Sequence, residues 1–116
     1  MNLARPGRRQ ALQDLVELRV SLRVALEALA HHPWDSEVEY LTVTRHHTLE
    51  ALNAYATSLI TPEELVAWAE ALSGREDLGF ADGKRGLVAE SIFQLSSPEL
   101  FGPVDDLARD LQGRLA

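Results

Sequence analysis

The chain has 116 residues, 46% of them hydrophobic and 25% charged, the ordinary mixture of one globular domain rather than of a disordered or fibrous chain. It contains no cysteine, which excludes disulfides, thiolate zinc sites, iron–sulfur clusters and cysteine nucleophiles. No apolar run approaches the roughly 18 residues of a membrane span, and Met1 to Arg9 hold no stretch of signal-peptide type, so a cytoplasmic protein without a membrane partner is expected.

The net charge of −7 is unevenly spread. Residues 1–34 carry five arginines against three acids, whereas residues 35–116 carry six Lys and Arg against fifteen Asp and Glu. Such an acidic body repels the phosphate backbone, so no nucleic-acid partner is expected. It is either a solvated, solubilising surface or a face for a basic protein.

Apolar residues recur at steps of three and four, and the fold class that follows is all-α, a single-domain helical bundle of about five helices. Residues 1–8 read as a flexible basic tail and residues 9–116 as the domain. From Arg9 to Ala30, Leu15, Leu18, Leu22, Leu26 and Leu29 form one stripe and Val16, Val20 and Val24 a second. A helix apolar on so much of its circumference sits at the centre of a bundle or against a second subunit. Arg19 and Arg23 interrupt the arc one turn apart, and each needs an acid from a neighbouring helix or a subunit contact. Val16, Arg19, Val20, Arg23 and Val24 are therefore the candidate homodimer interface. His31-His32-Pro33 ends this helix, because proline disfavours helix in the residue before it.

Residues 34–44 read as loop with a short helical turn at Ser36-Glu37-Val38-Glu39, although Val38, Tyr40, Leu41 and Val43 also suit an extended chain. Thr44 is the N-cap of a helix to about Leu59. In Thr61-Pro62-Glu63-Glu64 a capping hydroxyl, a proline at the first helical position and two acids announce the next helix. Leu65, Trp68, Ala69 and Leu72 are its buried face, and Gly74 its end. Residues 74–86 hold four of the seven glycines and read as one long irregular segment, the kind of connection that is more often functional than decorative. A helix from Lys84 to Leu95 turns Val88, Ile92 and Leu95 inward. Ser97 to Gly102 is a capped turn, and Pro103 opens a last helix with Val104, Leu107, Ala108, Leu111 and Leu115 inside.

Candidate chemistry is sparse. His31-His32 and His46-His47 are adjacent pairs that point about 100° apart on a helix, and the pairing of His46 or His47 with Glu50 is not repeated on another helix as a di-metal bundle requires. No metal and no cofactor are expected. Gly-x-Ser-x-Gly and phosphate-cradling glycine patterns are absent, so the reading is non-enzymatic. Arg75-Glu76-Asp77 either pins the long loop or recognises a partner. Together with Glu63, Glu64 and Glu70, Glu76 and Asp77 make the candidate partner-binding face.

At Glu63-Glu64-Leu65, Trp68-Ala69, Gly74-Arg75-Glu76-Asp77-Leu78-Gly79-Phe80 and Leu95-Ser96-Ser97-Pro98-Glu99-Leu100 the chain resembles a group of small bacterial helical proteins. That group shares a Trp-Ala helix, an Arg-Glu/Asp-Asp-Ile loop and a Pro-Glu turn, and the resemblance spans about residues 34–115. At Ile60-Thr61-Pro62-Glu63-Glu64-Leu65 it also distantly resembles helical immunity proteins of the colicin D type. The second resemblance implies a protein that neutralises a basic toxin ribonuclease by presenting carboxylates where RNA phosphates would bind. The expectation is thus a binding module with an acidic face for a basic protein, a basic toxin being one such partner; the alternative is a constitutive homodimer built on the N-terminal helix.

Overall fold

Thr44 and Thr61 accept backbone N–H groups from His47 and Glu64, so the two helix starts legible in the sequence are the starts the chain uses. The computed structural model describes residues 7–116. The elements in order are α1 (Arg8–Val16), α2 (Leu22–Leu29), β1 (Leu41–Val43), α3 (Arg45–Ala56), α4 (Pro62–Leu72), β2 (Leu78–Phe80), α5 (Leu87–Ser96), α6 (Pro98–Phe101) and α7 (Val104–Leu115). The protein is mostly helical, with seven helices and one small sheet among the described residues, which corrects the all-α expectation of about five helices. The tail expected over residues 1–8 falls outside the described residues up to residue 6, and Arg8 belongs to α1.

The continuous helix expected over residues 9–30 is two helices. Leu18 takes a positive φ of 50°, its N–H bonds to Leu15 O at 3.2 Å, and Arg19 N–H bonds to Asp14 O at 3.0 Å. These two bonds close the end of α1 in the manner of a Schellman turn, with leucine in the left-handed place that glycine commonly fills. Ser21 then caps α2 by accepting Val24 N–H at 3.3 Å. The apolar stripe runs across the break, which is why periodicity alone conceals it.

The second correction is a two-stranded parallel sheet, with Leu41 beside Leu78, Thr42 beside Gly79 and Val43 beside Phe80. Tyr40 N–H to Asp77 O at 2.8 Å and Ala81 N–H to Val43 O at 2.9 Å prolong the pairing. α3 and α4 form the crossover that a parallel pair requires. Strands of three residues give no period-2 signal, and β2 lies inside the glycine-rich stretch that reads as irregular.

One hydrophobic cluster joins both strands and every helix except α6, with Leu12, Leu15, Leu52, Leu65, Trp68, Leu95 and Leu111 fully buried. α4 packs most extensively on α5. Trp68, at the centre, donates its indole N–H to Leu15 O at 3.0 Å, so the largest core side chain also satisfies a carbonyl at the C-terminus of α1. Among the described residues no helix is long and apolar enough to cross a membrane.

Candidate functional site

Between α2 and β1 the chain runs as a strap over residues 31–40, with no helix in it. Two arginines hold it to the body. Arg8, the first residue of α1, donates to Pro33 O and Asp35 O, each at 2.8 Å, and to Asp77 Oδ2 at 2.9 Å. Arg75 donates through Nε to Asp77 Oδ1 at 2.8 Å and through Nη2 to Asp77 Oδ2 at 3.0 Å and Pro33 O at 3.1 Å. Its guanidinium lies 4.9 Å from the Trp34 ring centroid, and that of Arg8 lies 5.3 Å from Tyr40. Glu76 N–H donates to Trp34 O at 2.9 Å. The strap is thus bound mainly through its own carbonyls, by charge-assisted donors that are stronger than neutral ones.

Asp77 is fully buried at the centre of this network. Burial by itself raises a carboxyl pKa, but hydrogen bonds from Arg75 and Arg8 and their positive charges outweigh it and hold Asp77 below its ordinary value. Asp77 therefore presents no carboxylate to a partner, which corrects its place in the candidate face. Arg75 and Asp77 pin the segment, the first of the two roles that the sequence leaves open for them.

The remaining acids of that face do not gather into one patch. Glu64 closes the capping box, accepting Thr61 N–H at 2.9 Å. Glu63 and Glu70 line a shallow hollow with Pro62, Val66 and Val104. Glu76 alone of the five lines the larger cleft, of about 430 Å³, between the strap, the end of α4, β2 and α5. Its strap wall contributes Glu37, Val38 and Glu39; β2 and α5 contribute Leu78, Phe80, Ile92 and Phe93, and Lys84 is the one lysine on it. Glu37, Glu39 and Glu76 are exposed, and none of them makes an ion pair among the described residues. The Glu39 carboxylate lies over Gly79, where any Cβ would collide with it. Glu37 and Glu39 escape a reading of sequence-adjacent acids; the alternation Glu37-Val38-Glu39-Tyr40 ahead of β1 is the signal that points to them.

The candidate dimer stripe is not continuous. Val16 is 1% exposed and belongs to the core, Val20 is half-buried against that core, and Val24 is exposed. Arg19 pairs with Glu17 at 2.9 Å and Arg23 with Glu27 at 3.2 Å, so both arginines find local partners rather than an acid from another helix. The break at Leu18 takes the two halves of the stripe out of one register.

His47 closes the capping box of α3, its Nδ1 accepting Thr44 N–H at 3.1 Å while Nε2 stands 3.7 Å from Glu17. Burial lowers its pKa, and it prevails over the opposing pull of the Glu17 carboxylate. His46 stands 3.8 Å from Glu50, yet no group of three or more His, Cys, Asp or Glu is placed to hold a metal ion among the described residues. Comparison of the chain with protein-family models, curated proteins and solved structures gives no match.

Proposed function

We propose that this protein is a non-enzymatic binding module that takes a basic segment of another protein in the cleft between the strap and α5. The reading is carried by three exposed carboxylates, Glu37, Glu39 and Glu76, that line one cleft and make no ion pair among the described residues. A chain of net charge −7 adds a long-range field that steers a cationic partner toward it. The immunity-like resemblance supplies the partner class, a basic bacterial toxin domain met in the cytoplasm, with carboxylates standing in for RNA phosphates.

Fluorescence anisotropy with labelled polylysine and polyglutamate peptides of equal length tests the assignment. Polylysine binds at low salt and is released as salt rises; polyglutamate does not bind. Glu37→Lys with Glu76→Lys abolishes this binding, whereas Glu63→Lys with Glu70→Lys, which changes net charge by the same amount, leaves most of it. Equal loss in the two double variants would show that bulk charge, not the cleft, attracts the peptide.

A further inference from the structure

Beside the three glutamates lies an apolar surface that the core does not account for. α5 turns Val88, Ile92 and Leu95 inward, and Phe93, one step off that face, is 49% exposed. It meets Phe101 edge-on, with ring centroids 5.4 Å apart and planes at 79°, while Phe101 itself is 41% exposed. Leu100 beside it and Val38 across the cleft are more exposed still. Val38 and Phe93 both line the cleft, so its apolar wall continues outward over α6. Large apolar side chains that gather at one cleft, rather than scatter singly, mark an interaction surface.

We infer that this surface receives a large apolar side chain of the partner, an anchor carried in a segment whose flanking Lys or Arg residues meet Glu37, Glu39 and Glu76. The inference rests on the basic-partner reading above and adds its anchor. Charge chooses the occupant. A second copy docked by this face across a two-fold axis would set the same glutamates against one another, and an anionic lipid surface would repel them, whereas a cationic segment offsets them. Aromatic anchors in pockets ringed by polar residues are where binding energy concentrates.

A random-peptide library displayed on phage, selected on the intact protein and counterselected on Phe93→Ser, tests the anchor. The expected enriched peptides place Phe, Leu, Ile or Trp between Lys or Arg residues. A synthetic copy of one such peptide loses about tenfold or more in affinity when its apolar residue becomes Ser, because burying a large apolar side chain is worth at least a decade in the binding constant. Phe93→Ser and Leu100→Ser remove that preference, and unchanged thermal melts show that both variants fold. Basic peptides enriched without an apolar residue, or bound equally with and without it, overturn the anchor and leave the charge reading standing. Enrichment of acidic peptides, or none above the counterselection, overturns both. A dimer at micromolar concentration that dissociates in Phe93→Ser makes a second copy the occupant and overturns the inference.

Discussion

Asp77 accepts three hydrogen bonds from two guanidinium groups in a place without solvent. Removing one partner from a buried ion pair strands the charge of the other, so Asp77→Ala should cost about 3–5 kcal/mol in chemical denaturation. Glu76→Lys, one residue away but exposed, should change stability by no more than about 0.5 kcal/mol. The native state holds the Asp77 pKa below its ordinary 3.8, so its stabilisation is complete above that value and is lost as pH falls from there through the native value. The gap between wild type and Asp77→Ala should accordingly narrow only in that acidic range. His47 titrates in a higher window. Its native pKa lies below the ordinary 6.5, so folding favours the neutral ring, and protonation places a second donor against Thr44 N–H. The groups near it are Glu17, kept ionised because Gln13 and Arg19 outweigh its burial, and His46, whose charge opposes that of His47. Stability from His47 is present above about pH 6.5 and declines as pH falls through that value toward the native one. Gln at the same place in a capping box still accepts the backbone N–H, so His47→Gln should keep the α3 cap and flatten the pH dependence of the melting temperature in this window. An unchanged slope would place the titrating group elsewhere.

Helix ends show how far local chemistry determines an element. The caps at Thr44 and Thr61 rest on residues three apart in sequence, and the buried face of α4 rests on apolar spacing, so both are legible without tertiary structure. The left-handed turns at Leu18 and Ser58 are not, since neither residue is a usual occupant of that conformation. Ser58, with φ of 63°, ends α3 as Leu18 ends α1: its N–H bonds to Tyr55 O at 3.0 Å and Leu59 N–H bonds to Ala54 O at 2.8 Å. A non-glycine residue there carries roughly 1–2 kcal/mol of strain, partly balanced in a glycine variant by greater freedom of the unfolded chain. Ser58 is exposed, so Ser58→Gly should stabilise the protein by about 0.5 kcal/mol and raise its melting temperature. Leu18 is half-buried against the core, and Leu18→Gly would strip away that packing along with the strain, so the serine isolates the backbone effect. β1 and β2 lie outside local legibility altogether. Three residues on each side become strands because α3 and α4 return the chain beside them, a tertiary cause that neither segment carries in its own pattern.

At the scale of the molecule, the cleft depends on contacts between distant parts of the chain. The helical class follows from spacing that repeats along most of the sequence, whereas the site joins residues 36–39, 73–80 and 84–93 through a network anchored by Arg8, which reaches Asp77 across 69 residues. Acids adjacent in sequence, such as Glu76 and Asp77, end on opposite sides of the surface, one in the cleft and one in the interior. This is why a count of neighbouring charges does not reproduce the surface that the fold assembles. The same arrangement makes the strap separable from the core. Its polar bonds to Arg8 and Arg75 hold Pro33 and Asp35, while the buried face of α4 packs independently of them. Arg8→Ala should therefore loosen the strap without melting the helices, since segments held by few buried apolar contacts open locally at lower free energy than the whole. Hydrogen exchange of Glu76 and Tyr40 N–H, whose acceptors are Trp34 O and Asp77 O, should accelerate at least about tenfold, since the variant loses both charge-assisted bonds from Arg8 to the strap, at Pro33 O and Asp35 O. Amides in the middle of α4 and α5 should keep their protection. Peptide binding in the cleft should weaken in the same variant, because one wall is no longer fixed before the partner arrives. Uniform acceleration across α4, α5 and the strap would mean instead that Arg8 supports the fold as a whole and that the cleft wall is as rigid as the core.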